Sequence, residues 1–181
     1  MEYEHIVHSF EPVYDKASEI LILGTLPSVK SRENNFYYGH KQNRFWKVLA
    51  TLLKEPVPDT IEEKKAMLLA HRIALWDVIQ SCDIKGSSDS SIKNVVPCEL
   101  EKVLSSSPIR QIYANGGKAW QLYHRYCEKE TGREAVKTET RQDSFIKDTS
   151  FRSREGKQRC FHPQVRQMPR GRWNGCVRRG M

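Results

Sequence analysis

No CxxC or CxxH pair occurs in these 181 residues, although five cysteines are present (Cys82, Cys98, Cys127, Cys160 and Cys176). An odd number without paired spacing speaks against a disulfide framework and against a zinc site, so no metal is expected. The sequence also lacks an N-terminal apolar h-region and any run of 18 apolar residues, from which a soluble, cytoplasmic protein with no membrane partner is expected. Hydrophobic content is 38%, short of the roughly 45–50% of an average globular chain, so part of the sequence should lie outside the core. The length suits about one domain. No internal repeat is visible.

The net charge of +8 suggests nucleic acid until it is divided along the chain. Residues 138–181 hold 11 Lys+Arg and 4 Asp+Glu, whereas the remaining 137 residues hold 19 and 18. The basic character therefore belongs to the tail, and charge says nothing about the first three quarters. Within that tail only Ile146, Val165 and Val177 represent Ile, Leu and Val. Such a segment cannot bury enough apolar area to offset its ordering entropy and is expected to be disordered.

The first 137 residues carry a clearer pattern. Ile20 to Leu23 is a short apolar run ended by Gly24, with Pro27 close behind, as in a buried parallel strand entering a loop. Asn43 to Leu53 has helical spacing. Ile61 to Leu69 follows a cap-like Pro58-Asp59-Thr60 and reads as a second helix. Ile73 to Trp76, continuing to Val78 and Ile79, predicts another buried strand, and Cys82 to Ser91 a polar loop. Glu99 to Leu104 reads as a short helix and Ile109 to Ala114 as a third strand closed by Asn115-Gly116-Gly117. Lys118 to Thr131 reads as a single helix. Strands alternating with helices predict an α/β fold, a three-layer α/β/α sandwich around a mainly parallel central sheet. Ligands bind such sheets beyond the carboxyl ends of the strands. Those ends carry Gly24 to Ser28, Asp77, and Asn115 to Gly117.

One stretch has little structural rationale of its own. Tyr37 to Trp46, YYGHKQNRFW, packs four aromatics, a histidine and an asparagine among cations and amides. Aromatics can stack on planar ligands, amides can orient water, and Arg44 and Lys47 can meet anions or simply be solvated. Each side chain also has a plainer use. Asn43 is a favoured helix N-cap residue, His40 suits a structural role, and Phe45 and Trp46 sit at core spacing. Two adjacent tyrosines must point different ways, which leaves one of Tyr37 and Tyr38 free to stack on a ligand.

With GTLPS (24–28), YYGHKQNRFWKVL (37–49), ALWDVIQSCDIKGSSDSSI (74–92) and YANGGKAW (113–120) in this order, the chain resembles the uracil-DNA glycosylase superfamily over about residues 6–137. The likeness is strongest to its DNA-deoxyinosine (hypoxanthine) glycosylase branch and extends to the mismatch-specific uracil/thymine branch. The resemblance implies a monofunctional glycosylase of base-excision repair. It would hydrolyse the N-glycosidic bond of hypoxanthine or uracil in double- or single-stranded DNA, as a monomer and without a cofactor. Gly24, Thr25, Leu26 and Pro27 would then form the first active-site loop beneath the flipped base, with Ser28 toward phosphate. Thr25 and Leu26 stand where several branches carry a catalytic Asp or Asn, and the resemblance passes that role to Asn43, with His40 beside it. It gives base reading to Asp77, and phosphate contacts to Asn115, Gly116 and Lys118.

Two departures follow. Lys41 replaces the proline of the usual HPxN, which removes rigidity from the loop. After Lys137 the sequence reads TETRQDSFIKDTSF instead of a second motif of the HPSPLS or LPSTSPAN kind, and His162-Pro163 lies about 25 residues too late. A glycosylase-like domain over 1–137 is therefore expected, followed by a basic tail over 138–181 that is either divergent or out of frame. A catalytically impaired relative and a non-enzymatic nucleic-acid-binding protein are the alternatives these departures leave open.

Overall fold

A computed structural model describes residues 2–86 and 88–138. The expected tail lies outside them except for its first residue, Thr138, which is buried at the end of the last strand. Glu4–Val7 (β1) is followed by Ile20–Gly24 (β2), Val29–Glu33 (α1), Phe45–Leu53 (α2), Ile61–Ala70 (α3) and Ile73–Asp77 (β3). Then come Ile79–Ile84 (β4), Lys93–Pro97 (β5), Glu101–Leu104 (α4), Gln111–Asn115 (β6), Gly117–Tyr126 (α5), Glu128–Thr131 (α6) and Ala135–Thr138 (β7). A short 3-10 turn, Asp89–Ser91, lies between β4 and β5.

The central sheet has the order β3-β2-β6-β7 and all its pairings are parallel. Leu21, Ile22 and Leu23 of β2 are almost wholly buried, as are Ile73 to Leu75 of β3 and Ile112 and Ala114 of β6. Unbroken apolar runs of this kind form strands covered on both faces. The chain leaves β2 toward β3 on one side, and later leaves β6 toward β7 on the other. Right-handed crossovers in opposite directions place α3, packed on β3, and α5, packed on β6 and β7, on opposite faces. The expected α/β sandwich with a mainly parallel sheet is thus present.

Several boundaries differ from the sequence expectation. The run from Ile73 to Ile79 serves two sheets, because β4 leaves the parallel sheet after Val78 and joins an antiparallel sheet of order β1-β4-β5. The amide of Val78 donates to Gly24 O at 2.9 Å and that of Ile79 to Thr25 O at 3.1 Å, which steers the chain across the end of β2. The expected polar loop begins later than Cys82, since β4 continues to Ile84, with Cys82 and Ile84 facing the core and Ser81 and Asp83 outward. The helix expected over Lys118 to Thr131 is interrupted at Cys127, and the second piece ends at Gly132 in the left-handed conformation that suits a helix terminus. Thr60 caps α3 as expected, and its side chain and that of Glu63 form a reciprocal capping box.

Among the described residues no helix is long and apolar enough to cross a membrane. Leu23→Ala, at a fully buried position in the middle strand, should lower unfolding free energy by about 2–5 kcal/mol, read from urea denaturation; a loss well below that range would show that β2 is not the packed centre of the domain.

Candidate active site

β2 and β3 end level with one another, Gly24 opposite Asp77, and β6 ends at the same level with Asn115, the residue after Ala114, which is the partner of Leu23. Because the chain diverges from β2 and β6 in opposite directions, a crevice opens beyond these three carboxyl ends. It is a cleft of about 190 Å³ lined by residues 24–28, Ser31, Tyr37, Tyr38, Asn43, Asp77, Asp89 and Asn115. That is small beside the roughly 300–1,000 Å³ pockets of drug-sized ligands and suits a ligand of one or two rings.

Gly24 forms the floor by close approach. A Cβ there would lie 2.1 Å from Asp77 Oδ1 and 3.0 Å from the Tyr38 hydroxyl, so only glycine lets both oxygens converge over the strand end. Pro27 is buried, and its carbonyl accepts from Arg32 at 3.2 Å. Ser28 caps α1, accepting from the amide of Ser31 at 3.2 Å. The Ser31 hydroxyl in turn accepts from the amide of Gly39 at 3.2 Å, and Asn34 Nδ2 donates to Gly39 O at 3.2 Å. The first loop and the YYGHKQNRFW turn are therefore tied together through α1.

Within that turn the two tyrosines diverge, as their adjacency requires. Tyr37 is buried edge-on against Phe10, ring centres 4.7 Å apart, its hydroxyl donating to Glu11 O at 3.1 Å. Its carbonyl accepts from the indole of Trp46. Tyr38 takes a left-handed backbone, φ 52°, a conformation uncommon for a bulky residue and held only when its surroundings over-determine it. Its hydroxyl accepts from Asn115 Nδ2 at 2.8 Å, and its ring stacks on Phe45 at 3.9 Å and 20°. Trp46 enters the core as expected. Phe45 does not, and is half-buried as the partner of Tyr38.

Asn43 combines both of its sequence readings. Its Oδ1 accepts from the amide of Phe45 at 2.9 Å, doing the capping work that Arg44, at the formal cap position, leaves undone. A carbonyl oxygen has two lone pairs and the amide two N–H donors, so most of the hydrogen-bonding capacity of Asn43 remains for the cleft it lines.

The buried carboxylate of Asp77 is held from outside the cleft. Its Oδ2 lies 3.0 Å from Nε2 of His8, and both side chains are shielded from solvent. Burial raises the pKa of Asp77, and the hydrogen bond and charge of His8 oppose that rise. The phenols of Tyr37 and Tyr38 and the thiol of Cys98 are pushed up as well, chiefly by burial and next by Asp77. Further negative charge is strongly disfavoured here.

Gly24, Thr25, Leu26, Pro27, Ser28, Tyr37, Tyr38, Asn43, Asp77 and Asn115 are thus brought together. His40, Arg44, Gly116 and Lys118 are not among the residues lining the cleft. His40 is exposed, its Nδ1 accepting from the amide of Gln42 at 3.1 Å. Arg44 is exposed before α2, while Gly116 and Lys118 begin α5 directly after Asn115. Sequence reasoning missed His8, Ser31, Asp89 and the stacking role of Phe45. A buried histidine near the chain start carries no local signal, and Asp89 was hidden in a serine-rich loop. Among the described residues no group of three or more His, Cys, Asp or Glu is arranged to hold a metal.

The sequence profile of the Uracil DNA glycosylase superfamily matches residues 11–168. The chain belongs to this superfamily. A Methanosarcina acetivorans protein named hypoxanthine DNA glycosylase is 39% identical over 116 residues, spanning 63% of this chain and 73% of that protein. One of the same name from Methanosarcina barkeri is 32% identical over 112 residues, or 61% and 71%. The fold is similar to the solution NMR structure of a Methanosarcina acetivorans protein described provisionally as a uracil DNA glycosylase, with TM-score 0.60 and 30% identity over 80% of this chain and 90% of that one. Membership places the chain among DNA glycosylases, with the cleft at the strand ends as its candidate active site. The profile match runs past Lys137 into residues outside those described.

Two outcomes follow from the cleft floor. Gly24→Ala should displace Asp77 or the strand end and abolish DNA excision while lowering Tm; a fully active, equally stable variant would mean the two oxygens do not converge there. Because the folded pKa of Asp77 is raised, its contribution to stability is fully present below the unfolded value of about 4 and is lost as pH rises through the folded value. The stability of the wild type relative to Asp77→Asn should therefore fall as pH rises above about 4, measured by urea unfolding; a difference that grows with pH would reverse the assignment.

Proposed function

We propose that this glycosylase is a monofunctional enzyme of base-excision repair that hydrolyses the N-glycosidic bond of deaminated bases, hypoxanthine before uracil. The observation that carries the reading is the position of Asn43. A free amide capacity shares one base-sized cleft with the Tyr38–Phe45 stack and the polar pair Asp77 and Tyr38. The names of the Methanosarcina relatives favour hypoxanthine.

Hydrolysis requires the nucleotide to leave the duplex and its base to enter the cleft. As the C1′–N bond lengthens, the bonding pair moves onto the base and the sugar becomes oxocarbenium-like. Water then forms the new C1′–O bond, and the proton it gives up balances the charge left on the departing base. Asn43 orients that water, taking over from the first loop, where Thr25 and Leu26 can do so neither as a base nor as an amide. Tyr38 backs the base, and Asp77 meets its polar edge. Among the described residues lining the cleft there is no lysine, which favours hydrolysis over an imine-forming lyase route. Arg44, Asn115, Gly116 and Lys118, with Ser28 at the cleft edge, would contact phosphates.

A duplex oligonucleotide with one deoxyinosine or one deoxyuridine, followed by alkaline cleavage of the abasic product, tests this reading. Asn43→Ala should slow excision by about a hundredfold or more without a matching loss of Tm. An unchanged rate would remove Asn43 from catalysis. Binding without cleavage by the wild type would favour the impaired relative or the non-enzymatic binder.

A further inference from the structure

Asp77 offers the cleft only one of its oxygens. Oδ2 is occupied by His8, which lies outside the cleft and is held by Phe10, ring centres 4.6 Å apart. Oδ1 lies over Gly24 beside the Tyr38 hydroxyl, and no other hydrogen bond to Asp77 is present among the described residues. The groups facing this carboxyl from the packed elements are Tyr37, Tyr38, Cys98 and His8. His8 alone among them can carry positive charge.

The consequence is independent of where the proton of the pair resides. If His8 holds it, Asp77 is a carboxylate and Oδ1 is an acceptor. If Asp77 holds it at Oδ2, pointing to His8, Oδ1 is a carbonyl oxygen and still an acceptor. The neighbouring Tyr38 oxygen already accepts from Asn115, which leaves its own O–H to donate. The cleft floor thus presents an acceptor and a donor side by side.

Deamination inverts the polarity of a base edge. Hypoxanthine and uracil carry a ring N–H donor next to a carbonyl acceptor, whereas adenine and cytosine carry a bare ring nitrogen next to an amino donor. We propose that His8 confines the shared proton to the Oδ2 side of Asp77. Oδ1 and the Tyr38 hydroxyl then accept and donate to the lactam edge of a deaminated base and reject the unmodified one. This rests on the cleft being the base pocket. His8 is accordingly a positioning residue for specificity: without it, a buried Asp77 with raised pKa can carry its proton on Oδ1 and accommodate adenine.

Free hypoxanthine and adenine, compared by ligand-observed NMR from pH 5 to pH 8, test the polarity apart from catalysis. The wild type should prefer hypoxanthine throughout. His8→Leu should reduce that preference by about tenfold or more, most at low pH and recovering as pH rises. His8→Gln, whose amide reaches about as far as Nε2, should restore much of it. A folded His8→Leu protein with wild-type preference and pH profile would overturn the inference, as would a wild type that binds neither base or both alike. Should His8→Leu fail to fold, His8→Gln is decisive: its amide has no titratable proton to share, so the restored preference must weaken toward pH 5, and a profile as flat as the wild type's sinks the proposal. Selective binding without cleavage of a deoxyinosine duplex would refute the glycosylase reading and leave the polarity standing. Cleavage with an unaltered base preference in His8→Leu would do the reverse.

Discussion

The parallel pairing of β2 between β3 and β6 fixes the levels at which three strands stop, and the cleft follows from those levels. Gly24 is opposite Asp77 in that register, and Leu23 is opposite Ala114, one residue before Asn115. A slip of one residue would turn every side chain of the strand to the other face and separate the three polar ends. The register is secured by burial on both faces of β2 and not by the site residues themselves. Hydrophobic packing therefore positions groups whose own burial is unfavourable.

That unfavourable burial is concentrated and compensated locally. Asp77 is removed from water at the strand end, where its side chain is hydrogen-bonded to His8. The hydroxyl of Tyr38 lies close by, bonded to Asn115, while that of Tyr37 is satisfied by Glu11. Asp77 and Tyr37 are held by residues outside the cleft, whereas Tyr38 is held by Asn115, which itself lines it. The backbone cost of Tyr38 at positive φ belongs to the same arrangement, because the Phe45 stack and the Asn115 bond hold the ring where an unstrained turn would not.

Legibility varied with the type of signal. β2, β3 and β6 were visible because strands buried on both faces are written as continuous apolar runs, and α3 because Thr60 and Glu63 mark its start. β1 and β5 were missed: EHIV and KNVVP are short and mostly exposed. Within β4, Cys82 to Ile84 reads as loop because the polar Ser81 and Asp83, which point outward, interrupt the apolar run. The break at Cys127 leaves no Gly or Pro to announce it. Phe45 had core spacing but meets Tyr38, a contact fixed by the path of the turn and not by helical period.

The sequence by itself determined the α/β class, the three strand ends that carry polar residues, and the motifs that identify the superfamily, since these depend on local pattern and motif order. Through its resemblance to the superfamily it also put Asn43 forward as the candidate, because Thr25 and Leu26 stand where several branches carry an Asp or Asn. Only the tertiary structure decided which side chains share the cleft. It brought in Asp89, turned Tyr37 inward to the core and Tyr38 to the cleft, and placed His8 behind Asp77, 69 positions away in sequence. No local pattern could give that last pairing, because it arises where β1 runs beside β4 and β4 leaves the end of β3.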